Sequence, residues 1–170
     1  MRALVLALAL LGAGLGALAG VFGTVAAETW DSIRPGESTQ AAVLTQFGEP
    51  SKRTMVKIEG YDSAQWVYDE KQAPKGMARV TVDFGILTPQ GYRPELVRQM
   101  LVEPRPGIFT RATVVAGWGE PDVVGTEGEA KVLGYRSGLF VYFDKEGWNA
   151  ERMYFTPPQP SVQGGAQPQR

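Results

Sequence analysis

Arg34-Pro35-Gly36-Glu37-Ser38-Thr39-Gln40-Ala41-Ala42-Val43-Leu44-Thr45-Gln46-Phe47-Gly48-Glu49-Pro50 is matched without a gap by Arg105-Pro106-Gly107-Ile108-Phe109-Thr110-Arg111-Ala112-Thr113-Val114-Val115-Ala116-Gly117-Trp118-Gly119-Glu120-Pro121. Nine of the seventeen positions are identical, so the chain carries an internal duplication. Its matched residues have mechanical roles. Pro-Gly makes a turn. Thr39 and Thr110 stand where a helix N-cap belongs. Val43 with Phe47, and Val114 with Trp118, are four apart and share one helical face. Gly48 and Gly119 sit where a left-handed residue ends a helix, and Pro50 and Pro121 forbid continuation. Each copy therefore predicts one short helix.

Downstream of each helix the apolar period changes to two. The first copy predicts strands over Thr54–Ile58, Gln65–Asp69, Arg79–Phe84 and Leu96–Val102. The second predicts them over Asp122–Thr126, Lys131–Arg136, Leu139–Phe143 and Glu151–Phe155. Gly138 and Lys145-Glu146-Gly147 supply hairpin turns. The expected fold class is α+β, a tandem repeat of a short helix plus a roughly four-stranded antiparallel sheet. The helix covers one face of each sheet and leaves the other open.

At the start of the chain, Arg2 is followed by an uncharged run from Ala3 to Ala27, ending in Val25-Ala26-Ala27. A positive start, an apolar middle and a small-residue exit predict a signal peptide over 1–27. The competing reading is an uncleaved anchor helix, which would be the chain's membrane contact. The modules are expected over 28–103 and 104–156. A disordered tail rich in Pro, Gln and Gly is expected over 157–170.

The chain contains no cysteine and no histidine. That excludes disulfides, thiolate nucleophiles, Cys or His metal sites, imidazole catalysis and a lipid-bearing mature N-terminus. A net charge of −1 argues against nucleic acid as a partner. No catalytic residue, metal site or cofactor site is expected. Gly36-Glu37-Ser38 begins like a nucleophile elbow but lacks the closing glycine, and a turn explains it. Glu49 and Glu120 would be a carboxylate pair for glycoside hydrolysis, but both belong to the repeated helix stop. Arg34 and Arg105 are expected to bond a neighbouring loop carbonyl.

The aromatic residues divide by phase. Trp66, Tyr68, Phe84, Trp118 and Phe143 fall on the core faces. Phe140, Tyr142, Arg152 and Tyr154 fall on the opposite phase, and Arg98 and Met100 take the corresponding places in the first copy. These six are the candidate protein-binding face, since exposed aromatics with arginine suit protein contact. The alternative is that this face packs against the other module.

The helical signature, with Thr two to three residues after Gly, Val four residues on and a closing Gly-Glu-Pro, resembles that of the SmpA/OmlA (BamE-like) envelope proteins. It covers Ile33–Pro50 and Arg105–Pro121. The resemblance implies a β-lactamase inhibitor protein-like fold, an extracytoplasmic address that is periplasmic or outer-membrane associated, and a non-catalytic role in binding an envelope protein, as in outer-membrane assembly. That family's inhibitor-like fold also implies an alternative, an inhibitor or immunity-type protein acting on a secreted enzyme.

Overall fold

The computed structural model describes residues 30–158. The leader expected over 1–27, and the tail beyond Pro158, lie outside these residues.

Two eight-residue helices form where the duplicated stretch places them, α1 over Gln40–Phe47 and α2 over Arg111–Trp118. Thr39 Oγ1 accepts from the Ala42 amide at 3.3 Å. Thr110 Oγ1 accepts from the Thr113 amide at 3.3 Å, while Thr113 Oγ1 accepts from the Thr110 amide at 2.9 Å, closing a reciprocal capping box. The stops differ in detail from expectation. Gly48 (φ 74°, ψ −156°) and Gly119 (φ 83°, ψ −167°) are not left-handed helical. They occupy the extended positive-φ region that is essentially closed to residues with a Cβ. Helices this short do not persist in water alone, so packing must hold them. Val43 and Val114, the buried residue of each, supply that packing.

Eight strands follow the alternation in the sequence: β1 (Lys52–Ile58), β2 (Tyr61–Asp69), β3 (Met77–Thr88), β4 (Gly91–Pro104), β5 (Val123–Glu127), β6 (Ala130–Tyr135), β7 (Leu139–Phe143) and β8 (Ala150–Phe155). All eight expected strands are present, most of them longer than expected. β3 and β4 grow furthest, into a long hairpin.

Their assembly overturns the expected fold class. The chain is not a tandem pair of helix-plus-four-stranded-sheet units in the β-lactamase inhibitor protein-like manner. It forms one antiparallel sheet in the order β1-β2-β3-β4-β8-β7-β6-β5, with only the two short helices against it. The physical reason lies at the junction. As separate sheets, β4 and β8 would each present an open edge of unpaired N–H and C=O groups. Pairing Met100 with Phe155, Leu101 with Tyr154 and Val102 with Met153 closes both edges. It also aligns Met100, Val102, Met153 and Phe155 as fully buried neighbours, which merges the apolar interior into one core.

Both helices lie on that core face. Phe47 of α1 meets Tyr68 edge-on at 5.5 Å, and Trp118 of α2 meets Phe155 at 6.4 Å. Tyr68 and Phe155 share a face through the registers Tyr68–Val80–Val102 and Phe155–Met100. Of the expected core aromatics, Trp66, Tyr68, Phe84 and Phe143 are buried, and Trp118 packs half-buried against the core.

Candidate binding face

The register of the eight strands arranges the helix-free face into transverse rows. Residues directly opposite on antiparallel strands point to the same side, so each row can be followed from strand to strand. One row runs Val67, Thr81, Leu101, Tyr154, Phe140 and Gly134 to Val123. It is mostly apolar. Val67, Leu101, Tyr154 and Phe140 are half-buried, and Val123 is exposed.

The row beside it begins with charges. Asp69 lies opposite Arg79, and Arg79 opposite Glu103. Arg79 sits 3.8 Å from each carboxylate. Farther along, Arg152 lies opposite Tyr142, and Tyr142 opposite Val132. The Arg152 guanidinium stands 4.9 Å over the Tyr142 ring, a cation–π arrangement. Tyr142 and Tyr154 meet edge-on at 5.6 Å. The Tyr142 hydroxyl donates to Glu127 at 3.0 Å. Burial pushes that phenol above its ordinary range, and the bond to Glu127 adds to the shift.

A third row is polar and tightly tied. The Asp83 carboxylate is nearly buried and accepts from Gln65 at 2.8 Å, Gln99 at 2.7 Å and Arg98 at 3.1 Å. With its lone pairs this well occupied, Asp83 ties β2, β3 and β4 together on this face.

The structure therefore brings Phe140, Tyr142, Arg152 and Tyr154 together in one patch. Arg98 reaches the same face but belongs to the Asp83 cluster. Met100 is a correction, being fully buried on the helix side. The cause is a bulge. Asp83 pairs with Gln99 while Phe84 pairs with Val97, so Arg98 is an extra residue and the alternation slips before Met100. Leu101 takes the place expected for Met100, and Val67 and Leu101 were missed altogether. Leu101 was legible only as the odd phase between Met100 and Val102.

Two shallow depressions flank the aromatic patch. One of about 540 Å³ includes Val67, Arg79, Leu101 and Glu103. The other, about 310 Å³, includes Val123, Gly125, Gly134 and Phe140. The half-buried aromatic patch thus runs from one hollow to the other, on a face open over the described residues. The expected alternative, packing against the other half of the chain, is not what happens. The halves join edge to edge through β4 and β8, so among the described residues neither half covers this face.

The remaining candidates have structural surroundings. Ser38 Oγ accepts from the Arg34 amide at 2.9 Å within the turn. Glu49 engages Arg53. Arg105 Nε donates to the Met77 carbonyl at 3.2 Å, a backbone bond as expected but to the first residue of β3 rather than to a loop. Arg34 instead pairs with Glu37 at 3.2 Å. Among the described residues, no group of three or more acidic side chains is placed to hold a metal ion. No helix among them is long and apolar enough to cross a membrane.

No family model matches the sequence, and no curated protein matches it. Among solved structures, the chain is similar to a DUF4309 family protein, YjgB, from Bacillus subtilis subsp. subtilis strain 168. The two share 14% identity with a TM-score of 0.47, over 74% of this chain and 82% of that one. Likeness at this level carries no argument about function.

Proposed function

We propose that this chain is an exported, non-catalytic protein that binds a protein partner in the cell envelope through the helix-free face of its sheet. The observation that carries the reading is the half-buried aromatic patch of Leu101, Tyr154, Phe140 and Tyr142, with Arg152 stacked on Tyr142, which runs from one hollow to the other. Tyrosine and arginine dominate the energetic centres of protein interfaces, because they present large, rigid contact area with a polar tip. Charged rows beside an apolar row are the rim such a centre needs. The leader-like stretch over 1–27 supports export. The Thr–Val–Gly-Glu-Pro signature, with its resemblance to the SmpA/OmlA proteins, supports an envelope address.

The test is capture from envelope extract with the wild-type chain and with Tyr142→Ala/Tyr154→Ala. The double variant should weaken capture of a specific partner by about tenfold or more. Leu87→Ala, on the far β3–β4 hairpin and 58% exposed, should leave it unchanged. Equal capture by both variants would sink the assignment of this face.

A further inference from the structure

The two edges of the sheet are β1 and β5, and among the described residues neither has a strand on its outer side. Natural proteins guard such edges, since a free row of N–H and C=O groups is a template for another strand. Here the two edges are guarded unequally and in opposite sign. β1 reads Lys52-Arg53-Thr54-Met55-Val56-Lys57-Ile58, with Met55 66% exposed. β5 and its flanks read Asp122-Val123-Val124-Gly125-Thr126-Glu127, with Val123 63% and Val124 60% exposed. Neither strand carries a proline or a bulge.

We propose that the chain associates with a second copy of itself, β5 of one molecule pairing antiparallel with β1 of the next. The strands of the sheet alternate in direction from β1 to β5, so β5 runs opposite to β1. A second copy in the same orientation therefore meets it antiparallel. One register satisfies every position. Lys52 comes opposite Glu127 and Lys57 opposite Asp122, giving two opposite-charge pairs. Met55 comes opposite Val124 and Val56 opposite Val123, which covers the exposed apolar side chains. Thr54 comes opposite Gly125 and Arg53 opposite Thr126.

That register also respects the faces. Lys52, Thr54 and Val56 pair with Val67, Gln65 and Ser63 and so lie on the helix-free side. Val123, Gly125 and Glu127 pair with Gly134, Val132 and Ala130 on the same side. Each therefore meets a residue of its own face, and the joined sheets keep one helix-covered side and one open side. A shift by one residue would break the match of faces at every position.

Pairing of like edges is poorer. Antiparallel β1 with β1 about Met55 sets Arg53 against Lys57, a like-charge pair. Antiparallel β5 with β5 about Gly125 sets the Glu127 carboxylate over Val123. The existing partners of the charged residues permit the proposed contact. Lys57 holds Asp62 in an exposed pair at 2.8 Å, and Glu127 receives Tyr142 on Oε2, leaving Oε1. The Asp122 carboxylate, bonded to Arg136 at 2.6 Å, would be shared with Lys57. Because the two surfaces differ, the contact is heterologous and propagates to a ring or a filament. The proposal uses the edges of the sheet and stands apart from the reading of its open face.

The test is light scattering on the full chain over a concentration series, with Lys52→Glu, Glu127→Lys and Met55→Lys. Wild type should rise from one monomer mass to integral multiples, and each variant should lose that rise. An equimolar mixture of K52E and E127K should regain it, since each variant keeps one native edge and the two altered edges complement each other. Thermal melts matching wild type establish that each variant is folded. Wild type remaining monomeric to its solubility limit overturns the proposal, as do multimers that persist in all three variants or a mixture that stays monomeric.

Discussion

Tyr68 of β2 donates its hydroxyl hydrogen to the carbonyl of Gly48 at 3.2 Å, tying the stop of α1 to the sheet beneath it. Tyr135 of β6 makes the matching bond to Gly119 at 3.2 Å. Neither helix is long enough to be stable alone, so this bond, a buried valine and an aromatic contact (Phe47 or Trp118) hold each to the sheet. Tyr68→Phe should cost about 1 kcal/mol, the usual net worth of such a bond, with Tyr135→Phe similar. Denaturant titration would measure both.

Tyr68 also makes alkaline stability informative. Burial pushes its phenol from 10.0 to about 12. The folded chain thus holds the proton more tightly than the unfolded chain. Stability from this group is whole below pH 10 and is lost as pH rises through about 12. In that window the loss should approach about 1.4 kcal/mol per pH unit. Unfolding free energies measured from pH 9 upward should show this slope in wild type and a shallower one in Tyr68→Phe; equal slopes would contradict it.

The caps give a second prediction. Thr39→Ala and Thr110→Ala each strip a backbone amide of its acceptor and should cost about 1 kcal/mol. Thr110 should cost the more, because its capping box also loses a side-chain partner for Thr113. Serine at either position should restore most of the loss in the same denaturant titration.

Val43→Ala and Val114→Ala each remove two fully buried methyl groups beneath a helix. Each should cost about 2 kcal/mol, transfer and cavity terms together. Urea midpoints should fall with little change in slope, because unfolding exposes nearly the same surface.

How much of this was legible beforehand varies by level. Thr39, Thr110, Gly48 and Gly119 shape the backbone locally, so the helices and their ends could be read directly. The strands followed from alternation, as in Leu139, Val141 and Phe143. The joining of β4 to β8 was not legible. Met100–Val102 and Met153–Phe155 alternate like any half-buried strand, and nothing in one sequence says which edge meets which. The bulge at Arg98 was equally silent, because it depends on Asp83 and Phe84 across the strand. It turned Met100 into the core and Leu101 onto the helix-free face. The patch in the second half survived because β7 and β8 keep their phase from Phe140 to Tyr142 and from Arg152 to Tyr154.

At the opposite end of the pH scale, the turn between β7 and β8 should be sensitive to acid. Donation from the Asn149 side chain and the Trp148 amide holds the Asp144 carboxyl below its ordinary 3.8. The stability it contributes is present above that ordinary value and is lost as pH falls through the lowered one. Asp144→Asn should flatten acid unfolding of this turn, followed through the fluorescence of Trp148, which is 70% exposed.

Among the described residues the fold is a single sheet joined at its middle, with the face opposite the helices uncovered. Nuclear magnetic resonance tests this without a partner in hand. The fold predicts cross-strand contacts of Met100, Leu101 and Val102 with Phe155, Tyr154 and Met153, and bleaching of the Phe140, Tyr142 and Tyr154 rings by a soluble paramagnetic probe. Absence of those cross-strand contacts, together with rings shielded from the probe, would contradict it.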